Sequence, residues 1–329
     1  MRINAGLMEM IMNNENQKNI AMLGMVEGNG HPYSWSAIIN GGYDKEKMEN
    51  CPYAGIPEYL NRQPEENLGI PGAKVTHIWT DDPEDAVKVA GASLIENVVS
   101  KPTDVIGEVD AVIISTDKGF EHVKRARPFI EAGLPVFIDK PLTDNEEDLQ
   151  TFCRWKNEGA KIMSSSCMRY AKEAVPYHKN YAELGELRYA SVTMAKKWET
   201  YGIHALEMIY PVLGTGYISV RNTGTYQRNI VHIKHRCGAD IIIPVIKDML
   251  GSFSVMQLCG TCDNVTIKFK DTFTAFKAQL EAFVRYLYTD ELPFSFAETI
   301  ELMKMVIAGI KSRELNGAEI YLDDIAPKI

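Results

Sequence analysis

Between residues 20 and 164, short apolar runs of strand length alternate with stretches whose apolar residues recur at helical spacing. Few architectures accommodate that alternation. A run that is apolar at every position suits a strand buried on both faces, and parallel strands need long crossovers, which the intervening helices supply. The apolar runs fall at 20–25, 110–115, 134–138 and 161–164, and Val75 to Trp79 reads as a further strand. A helix start is expected at 34–39, and a helix over 83–92 carries Ala86, Val89 and Ala90 on one face. The stripe Phe120, Val123, Ala126 and Ile130 predicts another helix, stopped at Gly133. Thr143 to Glu146 reads as a capping box with Leu149, Phe152 and Cys153 turned inward behind it. The expected product is a doubly wound parallel sheet.

Past about Ser165 the period changes to two, over 188–195, 217–222, 229–236, 239–246, 253–258 and 265–270. Val265, Ile267 and Phe269 alternate with Thr266, Lys268 and Lys270, as in a strand with one wet face. This half is expected to be a mostly antiparallel sheet. Two amphipathic helices follow, one with Phe273, Phe276, Leu280, Phe283 and Leu287 on a stripe, the other with Ile300, Met303, Val306, Ile307 and Ile310. The chain therefore divides into a tail at 1–18, a first domain at 19–165 and a second at 166–329. Residues 41–73 are long for the link they make, and read as a lid or interface loop.

Composition narrows the function classes. A net charge of −9 with scattered Lys and Arg offers no basic stripe, which argues against a nucleic-acid partner. No apolar run is long enough for a membrane span, and the first 18 residues lack a signal-peptide pattern, so a cytoplasmic protein is expected. Six dispersed cysteines fit a reducing compartment. Cys259 and Cys262, with Cys237, His232 and His235, invite a zinc hypothesis. His232 and His235 would face opposite sides of one strand, so no metal is expected.

The turn after the first strand holds Gly24, Gly28, Asn29, Gly30 and His31 ahead of a helix. Glycines there let amides approach a diphosphate, although Val26 and Asn29 break the G-x-G-x-x-G spacing and an ordinary glycine-rich turn remains open. A ribose-binding acid is expected at the end of the second strand, where Thr80 precedes Asp81 and Asp82. Helix capping explains these acids equally well. With an acid close by and no arginine, the pattern leans to NAD over NADP.

The segment Asp110 to His122, followed by Asp139-Lys140-Pro141, resembles the Gfo/Idh/MocA family of oxidoreductases. That family has a Thr-Pro-x-x-x-His turn and a Glu-Lys-Pro strand end; here Asp117 replaces the proline and Asp139 the glutamate. The resemblance implies an N-terminal Rossmann domain, a C-terminal α/β domain with an open sheet, a nicotinamide cofactor and a sugar or cyclic polyol substrate. It places Thr116, His122, Asp139 and Lys140 at the cofactor. Lys140 would also hold the substrate oxygen, with burial expected to depress its pKa. His204 matches the family's general base, and its ordinary pKa suits that role. The family's aspartate four residues earlier is Thr200 here, with Tyr201 or Glu199 as a relay. Arg169 and Tyr170 resemble an Arg-aromatic pair near the cleft, read as a substrate contact or an interdomain ion pair. The family also implies a homodimer or homotetramer. Rival readings are an inactive nicotinamide-binding sensor and an enzyme that recycles NAD while cleaving or epimerising a glycoside.

Overall fold

The computed structural model describes residues 17–327, so residues 1–16 of the expected tail lie outside the described residues, while Lys18 already belongs to the first strand. The first half contains β1 (Lys18–Leu23), α1 (His31–Asn40), α2 (Lys45–Glu49), α3 (Gly55–Asn61), β2 (Ala73–Trp79), α4 (Pro83–Ser93) and β3 (Asn97–Val98). It continues with β4 (Ala111–Ile114), α5 (His122–Glu131), β5 (Val136–Ile138), α6 (Glu146–Asn157) and β6 (Ile162–Ser164). The second half contains β7 (Leu187–Ala195), α7 (Ile203–Leu213), β8 (Tyr217–Asn222), β9 (Arg228–His235), β10 (Asp240–Ile246), β11 (Val255–Gly260) and β12 (Asn264–Lys268). It closes with α8 (Thr272–Thr289), α9 (Phe296–Glu314) and β13 (Ile320–Tyr321).

The first six strands form one parallel sheet in the order β3-β2-β1-β4-β5-β6. Alternate residues of β1 serve opposite faces: Ile20 and Met22 pack with α1, whereas Ala21 and Leu23 pack with α5 and α6. Order reverses between β1 and β4, so the crevice at their carboxyl ends is the expected ligand position.

The second sheet runs β12-β11-β7-β10-β9-β8-β13, with β7 and β10 parallel and the other pairs antiparallel. Val231, Ile233, Ile241, Ile243 and Val245 are buried on the face toward α7 and α9, while Ile230 and Asp240 point outward. Trp198 locks α9 to this half: its Nε1 donates to the Val306 carbonyl at 2.9 Å, and Gly202 and Gly309 both leave room for its indole.

Local patterns erred where an element's start was misjudged. Phe120 precedes α5 in a short 3-10 turn and is 62% exposed, so it is not part of the buried stripe. Asn145, not Thr143, caps α6, accepting from the Asp148 amide at 2.9 Å. Residues 41–73 are not a bare loop: they fold into α2 and α3, burying Met48, Ile56, Leu60 and Ile70 in the core around α1. Helix α8 packs Phe273, Leu280 and Phe283 onto the first sheet rather than the second.

Candidate active site

The turn after β1 brings its residues together, but not as a free phosphate cradle. Gly24, at φ 92°, could not carry a side chain, because a Cβ would lie 2.7 Å from Thr116 Cγ2. Gly28, at φ 83°, faces open space at the tip of a turn closed by Asn29 N donating to the Val26 carbonyl at 3.0 Å. Gly30 lies under Tyr53 and Ile56, whose atoms stand 2.5 and 2.6 Å from a Cβ position there. Asn29 Oδ1 accepts from the His31 amide at 3.0 Å, and Asn29 Nδ2 donates to Ser115 O and Asp139 Oδ2, both at 3.0 Å.

A cavity of about 490 Å³ opens at the carboxyl ends of β1, β2 and β4, lined by Leu23, Trp79, Asp81, Ile114, Arg125 and Phe129 among others. It is distant in kind from the polar cluster described next: apolar walls with an acid at the rim suit an adenosine. Thr80 is buried and donates its hydroxyl to the Asp82 carbonyl, so it shapes the turn. Asp82 caps α4 through the Glu84 amide at 2.9 Å. Asp81 remains for a ligand, but not without an arginine: Arg125 Nη2 lies 2.8 Å from Asp81 Oδ1, a partner 44 residues away that the sequence did not reveal. Thr116 Oγ1, buried beside Gly24, has no hydrogen-bond partner among the described residues. The glycine turn, this orphaned hydroxyl and the apolar cavity fit a dinucleotide; Leu23, Trp79, Asp81 and Thr116 would hold its adenosine half.

His122 does not face that cavity. It is wholly buried, bridging the carbonyls of Thr116 at 2.8 Å and Leu142 at 3.1 Å, and so braces the turns after β4 and β5.

Lys140 follows β5 and is 3% exposed, with Nζ 3.5 Å from Asp117 and 5.3 Å from the centre of the Tyr201 ring. Burial would lower its pKa, but Asp139 and Asp117 outweigh that and hold it above the ordinary lysine value, the reverse of the expected depression. Asp117 stands where the family has proline, so this departure supplies a counter-charge. Lys140 is thus a fixed cation rather than a proton carrier. Burial likewise would raise the Asp139 carboxyl, yet His31 and Lys140 keep it below its usual range. His31 Nδ1 donates to Asp139 Oδ2 at 2.7 Å, and its ring stacks on Trp35 with centroids 4.2 Å apart.

His204 comes from the first turn of α7 and is 7% exposed. Its ring lies 4.9 Å from that of Tyr201, so Tyr201 stands in contact range of both His204 and Lys140. Burial, then the charges of Lys140, His31 and Lys196, hold its pKa well below 6.5, leaving a neutral imidazole. Its partner is Ser166, whose Oγ lies 2.6 Å from Nδ1; neither Thr200 nor Glu199 takes that place. Glu199 is turned to Arg313. Tyr201 Oη accepts from Lys196, a second lysine that the motifs did not single out.

Arg169 and Tyr170 do not join this cluster. Arg169, 8% exposed, is ion-paired with Glu207 and, at 2.8 Å, with Glu298, and its guanidinium lies 4.0 Å from the Phe294 ring centre. It ties α7 to α9 within the second half, so the ion pair it makes is not the interdomain one expected. Both residues border a separate cavity of about 320 Å³ with His178 and Phe294. Among the described residues no group of three or more His, Cys, Asp or Glu could hold a metal ion, and no helix is long and apolar enough to cross a membrane. His232 instead meets Asp240 at 2.7 Å, and His235 meets the Thr215 carbonyl at 3.1 Å.

Solved structures share the fold. Myo-inositol 2-dehydrogenase from Lactobacillus plantarum aligns at 14% identity and TM-score 0.73, covering 93% of this chain and 99% of its own. Myo-inositol dehydrogenase from Lactobacillus casei, in complex with NAD(H) and myo-inositol, aligns at 12% and 0.71, covering 93% and 96%. An oxidoreductase from Agrobacterium radiobacter, in complex with NAD+, L-tartaric acid and magnesium, aligns at 14% and 0.71, covering 93% and 98%. At such identities the likeness speaks for the fold. No curated protein matches the sequence. Residues 54–165 do match the Gfo/Idh/MocA description, an oxidoreductase family with an NAD-binding Rossmann fold. That match covers the segment on which the resemblance was read, and the two-sheet architecture continues around it.

Proposed function

We propose that this chain is an NAD-dependent oxidoreductase acting on a hydroxyl, or the corresponding ketone, of a sugar or cyclic polyol. The observation that carries the reading is that Lys140, from the first sheet, and His204, from the second half, both lie beside the Tyr201 ring, at 5.3 and 4.9 Å from its centre. The inositol dehydrogenases among the structural neighbours support the substrate class.

A nicotinamide, when bound, would supply the redox chemistry, hydride exchange at the substrate carbon. The chain's own residues manage position and protons. With Nδ1–H donated to Ser166 Oγ, His204 keeps the Nε2 lone pair for the substrate hydroxyl proton. Lys140, charged throughout the working pH range, steadies the oxygen as negative charge develops on it. Tyr201, with Lys140 and Lys196 both within 5.3 Å of its ring centre, holds the two cations beside one ring. Asp81, with Oδ2 outside its arginine contact, would accept from the adenosine ribose and so favours NAD over NADP.

A test is to mix the protein with NAD+ and a panel of inositols, aldoses and sugar acids and follow nicotinamide reduction. Turnover lost in Lys140→Ala and His204→Ala, with folding retained, supports the assignment; activity unchanged in either removes that residue. A second reading, a sensor that binds nicotinamide without turnover, draws on the engaged Asn29 and His31 in the glycine turn. Tight NADH binding without oxidation across a panel of ketosugars would favour it. The outer face of the second sheet, with Ile230 and Ile218 exposed, is the surface proposed to pair two copies. Six unbridged cysteines suit the cytoplasm.

A further inference from the structure

A dinucleotide's diphosphate needs amide hydrogens or cations to meet its charge. In doubly wound folds the helix after the first strand usually provides the amides. Here the first turn of α1 has none to spare. The His31 amide donates to Asn29 Oδ1 at 3.0 Å, Pro32 has no N–H, and the amides of Tyr33 and Ser34 donate to the Gly30 carbonyl at 3.1 and 3.3 Å. The helix dipole remains, but its hydrogens are engaged.

Arg125 reaches the same turn from α5. Its Nη1 lies 3.3 Å from a Cβ position on Gly24 and makes no hydrogen bond among the described residues. The other edge of the guanidinium is held by two carboxylates: Nε donates to Glu121 at 2.8 Å and Nη2 to Asp81 at 2.8 Å. Asp81 in turn has one oxygen engaged, while Oδ2 stands 3.7 Å from the same Gly24 position. A free donor edge and a free acceptor oxygen therefore sit side by side at the mouth of the 490 Å³ cavity.

We infer that Arg125 binds the cofactor's diphosphate in place of the helix amides, while Asp81 takes the adenosine ribose; this rests on the dinucleotide reading above. An arginine that served only as an ion-pair partner of Glu121 would not distinguish ligands with a diphosphate from those without one.

The comparison uses the full chain titrated calorimetrically with ADP-ribose and with adenosine. In wild type, ADP-ribose binds the more tightly. Arg125→Ala is expected to weaken ADP-ribose about tenfold or more while adenosine changes far less, since charge-assisted bonds to phosphate are the strong ones. Arg125→Lys should recover part of the loss as a point charge, and Asp81→Asn should weaken both ligands alike. Should Arg125→Ala unfold early in a thermal scan, Arg125→Gln and Arg125→Lys carry the same comparison. Equal weakening of both ligands, or none, in the Arg125 variants overturns the assignment while leaving the dinucleotide reading intact. Wild-type protein that binds neither ADP-ribose nor adenosine overturns that reading, and the assignment with it.

Discussion

Ser166 Oγ stands 2.6 Å from His204 Nδ1, and that contact takes over the orienting role that a carboxylate four residues before the histidine would have had. A hydroxyl orients the ring without adding negative charge, so nothing in the contact raises the imidazole's pKa as a carboxylate would. Ser166→Ala should lower kcat about tenfold, the worth of one well-made hydrogen bond, with KM changing less. Ser166→Thr keeps the hydroxyl and should restore most of the rate in steady-state assays.

The pH profile follows from His204. Its pKa lies below 6.5, chiefly through burial and then through Lys140, His31 and Lys196. Oxidation should therefore hold its rate as pH falls to 6.5 and fail only at more acid pH, where the imidazole takes up a proton. The same shift bears on stability: the unfolded chain protonates this histidine first, so its contribution is complete above 6.5 and is lost as pH falls through the folded value. A kcat/KM profile with a step at or above 6.5 would contradict this.

Replacing Lys140 tests both charge and coupling. Lys140→Met should reduce kcat/KM by about 10²–10³, as for loss of one electrostatic stabiliser. Removing the cation should also move the acid step of His204 upward. Asp139 keeps Asn29, His31 and the residue-140 amide as partners, so the fold should survive, as circular dichroism would check.

Arg169 should prove structural. Arg169→Met strands two carboxylates, Glu207 wholly and Glu298 partly buried, and should cost about 3–5 kcal/mol in urea unfolding. The fraction that folds should bind NADH as wild type does. A variant with normal stability and weakened substrate binding would return Arg169 to the substrate site.

Much of the fold was legible because strand and helix periods are local. The five runs expected as strands recovered β1, β2, β4, β5 and β6, and the period-two runs recovered most of the second sheet. Missed features had nonlocal causes. Residues 41–73 looked like loop because α2 and α3 are too short to show a period; what holds them is tertiary packing, α2 against α4 and α3 against α1 and α8. Helix α8 followed the second sheet in sequence, yet its apolar stripe completes the first.

For the site, the sequence by itself determined where the chemistry-bearing groups stand along the chain: Lys140 closing a strand, His204 opening a helix, Asp81 at a strand end. The tertiary structure alone decided their partners and charge states. Ser166 is 38 residues from His204 and Arg125 is 44 from Asp81, and such pairs form only when separate elements pack. Burial beside Asp117 and Asp139 keeps Lys140 charged, and burial beside cations keeps His204 neutral, because a group's proton affinity depends on its surroundings rather than on its neighbours in sequence.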